Sequence, residues 1–413
     1  LQALPLGFFP LDDPDYVINN PYLTGFTWAN LARICTAPYF ANFSPLHLIS
    51  YMADVAAAGG KNPFALHLSS VLWNGYVVCM IYLLAFTLRA HIPTAAGAAL
   101  LFLAHPAHVE VVAWISSRKD LVATGFGVLA MTLYFLYRRR GKFSQGYYAG
   151  SIVCFLLASA GKQSVVLLPA VMLLWDFLVE KRRHWSMVLD KIPFGLITIL
   201  FALPTLSAQP DTRRSYDLVV LAGNQIWNFW LLTGLGDYVI YRQPALESTG
   251  FNPMGLVVIG LVAAAWIVPF LLRNVVDPVR VTLWYWILVQ LIPPMIFNFI
   301  SPVTDRYLFL PSVGLCILLA DAITGVALRA RAKPWGAWIV LLAIAGFWAG
   351  KTLVYLGEWN DPRSVWYAAA TKSRAFQNNE YLGTVYQEAG DRLHQFIATA
   401  KGLEIAKELP LAE

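Results

Sequence analysis

Charged residues are scarce in this chain. They make up 13% of its 413 residues, whereas ordinary soluble domains carry roughly 25%. Hydrophobic residues make up 58% and occur in long runs. A soluble core of this size does not need so many apolar side chains, so the composition argues against a soluble enzyme. It predicts an all-α polytopic membrane protein.

Cysteine is also rare, with four residues in the chain. Cys79, Cys154 and Cys316 lie within apolar runs, and Cys35 lies in a polar loop. None has the spacing of a CxxC motif or of zinc ligands. The sequence therefore predicts neither a disulfide framework nor a zinc site.

Acidic residues are fewer than basic ones, which gives a formal net charge of +6. The cations cluster between apolar runs instead of forming a basic stripe, so nucleic acid is not a predicted partner. By the positive-inside rule, these clusters mark cytoplasmic connections at residues 138–142, 181–183, 273–280 and 329–333. We therefore expect a multi-pass protein of the inner (cytoplasmic) membrane.

The apolar runs predict ten spans. They cover residues 66–88, 93–104, 121–137, 147–160, 165–179, 192–206, 254–272, 281–300, 307–326 and 335–356. Residues 218–235 are also apolar, but Asn224, Gln225 and Asn228 argue against a simple crossing. Either a re-entrant or bent helix lining a cavity or an ordinary span fits this stretch. The prediction is a bundle of about 10 to 12 spans or re-entrant helices.

The two ends of the chain frame this bundle. Residues 1–10 are apolar but too short to cross roughly 30 Å of hydrocarbon, so a first span is expected to begin upstream. Residues 11–64 predict a long exoplasmic first loop that carries two interfacial helices. The membrane domain is expected to extend over residues 1–359 and to be followed by an exoplasmic helical tail, residues 360–413.

The tail carries a weak repeat signal. Tyr381, Gly383, Tyr386 and Gly390 match the first helix of a tetratricopeptide unit, within a predicted helix at 379–389. One such unit cannot bury its own face. Either more repeats follow it or the tail packs on the membrane domain, and the tail is also a candidate docking element for a larger membrane complex.

Residues 105–120 form a polar segment between two apolar runs. The segment contains two imidazoles, two carboxylates and two cations, namely His105, His108, Glu110, Arg118, Lys119 and Asp120. Charge at bilayer depth costs several kcal/mol, so such a cluster indicates a functional site. The alternative is a solvated loop between two spans.

Four stretches resemble one enzyme family. They are Leu11-Asp-Asp-Pro-Asp-Tyr-Val-Ile-Asn-Asn20, His105-Pro-Ala-His-Val-Glu110 leading into Arg118-Lys-Asp-Leu121, Gly161-Lys-Gln163, and Asp305-Arg-Tyr-Leu-Phe-Leu-Pro-Ser-Val-Gly314. In order and spacing the chain resembles GT-C-type integral membrane glycosyltransferases, and among them the transmembrane, tetratricopeptide-containing protein O-mannosyltransferases. It departs from that family at Gln163, where a glutamate is usual, and at Val109, where a hydroxyl residue is usual.

The resemblance implies sugar transfer from a polyprenyl-phosphate donor to an acceptor at the exoplasmic face, with a protein hydroxyl as the expected acceptor. Such a reaction needs a general base for the acceptor hydroxyl. The resemblance assigns that base to Asp12 and Asp13, and Glu110 would hold sugar hydroxyls or orient the acceptor. The alternative for Asp12 and Asp13 is helix capping, which we expect for Asp15.

The departing phosphate needs cations. The candidates are Arg118, Lys119, Lys162, Arg306, Tyr307 as a hydrogen-bond donor, the weaker Arg242, and His105 and His108 beside them. Arg306 could instead pair with Asp305 or anchor a span end at the membrane edge. No cofactor is expected and no metal site is predicted, because His105, His108 and Glu110 would not share one helix face.

Two further functions remain open. A ligase or polymerase that moves a whole glycan from a pyrophosphate lipid would use similar groups in a wider cavity. A catalytically degenerate scaffold subunit would fit the substitution at Gln163 and the short repeat region. A transporter is less consistent with the sequence, because the charged groups collect at one face and not at the midplane.

Overall fold

The computed structural model describes residues 2–140, 144–209, 217–243, 253–296, 303–331 and 333–408. Within these ranges the secondary structure is helical, and the only strand-like pairing is an isolated bridge between Tyr39 and Asn42. The prediction of an all-α chain is confirmed.

The segment before the first long helix folds into short helices. A helical turn, Pro14–Ile18, is followed by α1 (Trp28–Thr36) and α2 (Pro45–Ala58). The Thr27 side chain caps α1, and Gly59 ends α2 at a φ of 70°, a left-handed conformation that glycine adopts without a steric penalty. Both helices predicted for the first loop are therefore present.

The bundle helices follow in chain order. They are α3 (Pro63–Arg89), α4 (Ile92–Ala104), α5 (Val109–Ala113), α6 (Arg118–Arg140), α7 (Gln145–Gly161), α8 (Leu168–Leu178), α9 (Ser186–Leu189), α10 (Ile192–Ala208), α11 (Leu218–Leu232), α12 (Pro253–Leu271), α13 (Pro278–Gln290), α14 (Pro293–Ile296), α15 (Phe309–Arg329) and α16 (Pro334–Glu358). In the described part of the chain, six helical segments, built on α3, α6, α10, α12, α15 and α16, are long and apolar enough to cross a membrane. The prediction of a polytopic membrane protein is confirmed.

A seventh candidate span is bent at the polar segment. Helix α4 and the helical stretch Pro106–Ala113 meet at an angle of 57°. The bend lies at a proline, which cannot donate a backbone hydrogen bond to the preceding turn. His105 Nδ1 accepts the Ala107 N–H at 3.2 Å and so caps the turn that follows.

Four predicted apolar segments are shorter helices. Helices α7, α8, α11 and α13 contain 17, 11, 15 and 13 residues, whereas a crossing needs about 20. The span predicted at 281–300 ends early, since α13 stops at Gln290 and the prolines of α14 follow. Its last residues, 297–300, lie outside the described ranges. The predicted count of 10 to 12 included such short helices together with full spans.

Ion pairs close the end of the bundle opposite the first loop, which we call the far end. Asp176 is fully buried and pairs with Arg138, Arg182 and Lys191 at 3.1, 2.8 and 2.5 Å. A second group joins Asp321 to both Arg89 and Arg280 at 2.7 and 2.6 Å. These pairs tie α3, α6, α8, α10, α13 and α15 together.

The tail forms three helices, α17 (Pro362–Lys372), α18 (Phe376–Glu388) and α19 (Arg392–Glu408). Helices α18 and α19 pack closely at Gly383, where a Cβ would lie 2.8 Å from Thr399 Oγ1. The tail shares one hydrophobic cluster with the start of the chain and with α5, α11 and α16. Its identity as a tetratricopeptide unit stays a prediction.

Candidate active site at the first-loop end of the bundle

Asp13 anchors the start of the chain to the polar segment. Its buried carboxylate accepts the Phe9 N–H at 2.8 Å, the Ser116 N–H at 2.9 Å and the Ser116 hydroxyl. Burial raises the pKa of Asp13 from 3.8 to about 6, although the hydrogen bonds from Ser116 and Phe9 lower it. With its oxygens occupied, and no cap made to the turn after it, Asp13 acts as a positioning residue for its neighbour.

Asp12 is the neighbour that Asp13 positions. Its side chain is half buried, and among the described residues no hydrogen bond or ion pair reaches its carboxylate. Lys119 and Arg306 lie close enough for its charge to act on both of them. An unpaired carboxylate beside two cations can accept a proton from a hydroxyl group bound next to it.

Glu110 and Arg306 form a buried pair. Arg306 Nη1 lies 2.5 Å from Glu110 Oε1, and the Arg306 backbone N–H donates to Oε2 at 3.2 Å. Glu110 is fully buried, whereas the Arg306 side chain keeps 17% of its surface exposed. The guanidinium also lies over the rings of Trp114 and Tyr307, 5.4 Å from each centroid. Its exposed edge is available to an anion.

Two lysines extend this positive surface. Lys162 Nζ lies 2.8 Å from both oxygens of Asp120 and 5.7 Å from the centroid of the Tyr307 ring. Burial lowers the pKa of Lys162 from 10.5 to about 8, although Asp120 raises it. Lys119 lies over the Tyr16 ring, 4.6 Å from its centroid, and within the described ranges it has no carboxylate at ion-pair distance.

Arg118 and Arg242, two further predicted phosphate ligands, have protein partners. Arg118 is fully buried, pairs with Asp54 and lies over Tyr51 at 4.6 Å. Arg242 pairs with Asp305 at 2.7 Å, where both side chains are almost completely buried. Each guanidinium also donates to backbone oxygens. They hold the first loop and the segment before residue 244 in place.

His105 and His108 are buried in the bend. His105 Nε2 lies 3.0 Å from the Leu232 carbonyl oxygen, and His108 Nε2 lies 2.8 Å from Ser312 Oγ. Their rings stack at 5.0 Å. They connect the bend to α11 and α15, away from the exposed edges of the cations. In the described part of the chain no group of three or more His, Cys, Asp or Glu residues could hold a metal ion.

The structure thus brings together Asp12, Glu110, Lys119, Lys162, Arg306 and Tyr307, which we call the charged site. Sequence reasoning missed the rings of Tyr16 and Tyr241. Asp12 acts electrostatically on both hydroxyl groups. The sequence gives one usable signal for Tyr16, its position four residues after Asp12 in a short helical turn, whereas nothing local marks Tyr241.

Comparison with known proteins gives matches of two kinds, although no family model matches. Among solved structures, the matches include two crystal structures of ArnT from Cupriavidus metallidurans, one bound to undecaprenyl phosphate and one in the apo state. Both have a TM-score of 0.48, at 14% and 15% identity, and the match covers 98% of this chain and 75% and 74% of theirs.

In sequence, the chain is similar to curated proteins named protein O-mannosyl-transferases. It is 30% identical to human TMTC2 over 159 residues and 28% identical to mouse TMTC2 over 154 residues, each match covering 37% of this chain and 18% of the relative. It is 29% identical to mouse TMTC1 over 228 residues, which is 51% of this chain and 24% of that protein. The chain therefore spans about a fifth of the length of these relatives. Over a third to a half of its own length, the chain is similar in sequence to the TMTC protein O-mannosyltransferases, which is the family that its motifs resemble.

Proposed function

We propose that this protein transfers a sugar from a polyprenyl-phosphate donor to a hydroxyl group of a protein acceptor at the exoplasmic face of the inner membrane. The observation that carries the proposal is the unpaired carboxylate of Asp12 beside Lys119 and Arg306. This reaction requires a general base for the acceptor hydroxyl and cations that can bind the donor phosphate. The names of the curated relatives support mannose as the sugar and protein as the acceptor.

The transfer step needs little beyond these groups. Asp12 takes the proton of the acceptor hydroxyl, and the oxygen attacks the anomeric carbon of the donor sugar. The bond from that carbon to the phosphate oxygen breaks, and the phosphate leaves with the electron pair. Lys119, Lys162 and Arg306 neutralise the charge that develops on the phosphate. Tyr307, whose ring lies near Lys162 and Arg306, is placed to donate one hydrogen bond.

The buried Glu110 serves this step through Arg306. A fully buried carboxylate cannot reach a bulky sugar, but its two contacts fix both the side chain and the backbone of residue 306. Because Asp120 likewise fixes Lys162 through both oxygens, the cations are oriented before the phosphate arrives. No cofactor is part of this proposal.

A transfer assay in reconstituted vesicles tests the proposal. Polyprenyl-phosphate mannose labelled in the sugar is the donor, and an unstructured peptide rich in serine and threonine is the acceptor. We expect label in the peptide with the wild-type protein and a loss of at least about 100-fold with Asp12→Asn, since general bases contribute about 10² to 10⁴. Asp15→Asn, in the helical turn that follows Asp12, is the matched control and should retain the wild-type rate.

Two results would contradict the proposal. Equal rates for the wild type and Asp12→Asn would remove Asp12 as the base. No transfer by the inserted wild-type protein, to the peptide or to water, would favour the scaffold alternative. The interaction of Gln163 with the Phe43 carbonyl oxygen at 2.5 Å gives this residue a structural role and does not by itself favour a scaffold.

A further inference from the structure

The C-terminal helices are built into the wall of the charged site. Trp366 of α17 is fully buried, and its ring lies 5.6 Å from that of Phe9. The backbone N–H of Phe9 is one of the donors that hold Asp13. Residues from opposite ends of the chain therefore meet one residue away from Asp12.

Three aromatic rings form a stack at this junction. Trp366 and Tyr381 are nearly parallel, with centroids 4.6 Å apart. Tyr241 lies nearly parallel to both, 6.1 Å from Trp366 and 6.0 Å from Tyr381. Within this stack Trp366 is fully buried, whereas Tyr241 and Tyr381 each keep part of their surface exposed. We call these two residues the tyrosine pair.

The tyrosine pair is held rigidly. Asn378 of α18 donates to the backbone oxygen of Tyr241 at 3.2 Å. The next residue, Arg242, is fixed by its pair with Asp305, directly before Arg306. A continuous set of contacts thus links α18, the tyrosine pair and the cation that faces Glu110.

Both tyrosines lie close enough to Asp12 for its charge to act on their hydroxyl groups. Asp12 is therefore shared by two surfaces of different chemistry. One is the positive surface formed with Lys119, and the other consists of partly exposed aromatic rings with hydroxyl groups. A phosphate would bind to the first surface, so the second is left for a group without negative charge that must also reach the base.

We propose that the tyrosine pair contacts the polypeptide acceptor and holds its hydroxyl-bearing residue against Asp12. This inference rests on the proposed function and assigns the binding surface of the acceptor. Tyrosine offers a rigid apolar face and a polar edge, which suit an extended peptide segment with small hydroxyl side chains. The C-terminal helices would then select the acceptor as part of the site, through Tyr381.

The acceptor KM and the donor KM, measured separately in the vesicle assay, test this inference. We expect Tyr381→Ala to raise the KM for the serine- and threonine-rich peptide about two- to tenfold, which is the range that one aromatic contact contributes. The KM for polyprenyl-phosphate mannose should not change. Tyr367→Ala is the matched control, because Tyr367 belongs to the tail but is 58% exposed and should alter neither KM.

A more conservative variant separates the loss of a contact from the loss of the fold. Tyr381→Phe keeps the ring stack and removes the hydroxyl, so it should fold like the wild type and raise the peptide KM by a smaller factor than Tyr381→Ala. An unchanged peptide KM in both variants, with the wild type active, would overturn the inference and leave the stack a packing contact. An equal rise in donor KM would also overturn it. A wild-type protein without any turnover would instead contradict the proposed function itself.

Discussion

The two ends of the bundle both collect charge, but they use it differently. At the far end, Asp176 is surrounded by Arg138, Arg182 and Lys191, so the buried charges compensate one another. At the first-loop end, Asp12 and Lys119 have no ion-pair partner within the described residues, although they lie near each other. Buried charge is costly unless it is paired. The ion pairs of the far end therefore stabilise the fold, whereas the unpaired charges of the charged site can bind a ligand.

The largest expected effect is the loss of an unpaired cation. Lys119→Met should lower the rate of sugar transfer about 10² to 10³-fold, because removing one group that stabilises a developing negative charge typically costs that much. It should leave the free energy of unfolding unchanged or slightly raised, since no ion pair is broken. Transfer rates and denaturation of the purified variant measure both quantities. A transfer rate within threefold of the wild type would contradict the contrast between the two ends.

The next effect concerns Asp13 and pH. Its folded-state pKa of about 6 lies above the ordinary 3.8, so between these values the folded state holds a proton that the unfolded state lacks. Stability from this group is thus greatest at low pH and is lost as the pH rises through 6. Relative to Asp13→Asn, which cannot ionise, the wild type should lose up to about 3 kcal/mol between pH 4 and pH 7. The free energy of unfolding of both proteins, measured from pH 4 to pH 7, checks this, and an equal change in the two proteins would contradict it.

A paired cation at the far end should show the opposite behaviour to Lys119. Lys191→Met leaves Asp176 with two arginines and should lower the free energy of unfolding by about 2 kcal/mol. The transfer rate per folded molecule should not change. Denaturation in detergent and an assay normalised to folded protein separate the two quantities. A large loss of transfer by the folded fraction would contradict a purely structural role of the far-end ion pairs.

The smallest effect is a pH dependence of donor binding. Because the pKa of Lys162 is lowered to about 8, this lysine loses its charge above pH 8. The donor KM should then rise by up to about tenfold per pH unit. Lys162→Arg should shift the rise to higher pH, since arginine stays protonated. The donor KM, measured from pH 7 to pH 9, checks this, and identical profiles for the two proteins would exclude Lys162 as a phosphate ligand.

Local patterns predicted much of this molecule. The apolar runs predicted most helix positions, including the end of α4 at Ala104, directly before the polar segment. The helix predicted in the tail at 379–389 begins only a few residues too late, since α18 begins at Phe376. These features depend on short stretches of sequence, where hydrophobic periodicity and prolines act directly on the backbone.

The sequence could not show which cations the fold encloses. Arg118 and Arg242 are buried beside Asp54 and Asp305, which lie 64 and 63 residues away along the chain. Arg306 also has a carboxylate partner, but its side chain keeps 17% of its surface exposed. Likewise, the partner of Glu110 lies 196 residues along the chain. Such pairs are set by how the helices pack, so charge alone could not show which basic residues keep an exposed edge. The same limit hid the tyrosine pair, whose members come from separate parts of the fold.

Retention of polyprenyl phosphate tests the central claim most directly. Native mass spectrometry can compare the lipid bound by the wild type, by Lys119→Met and by the far-end variant Lys191→Met, each equilibrated with the same polyprenyl phosphate. Unpaired charge at the first-loop end predicts that the wild type and Lys191→Met retain the lipid, whereas Lys119→Met loses most of it. Equal retention by all three proteins would contradict the account.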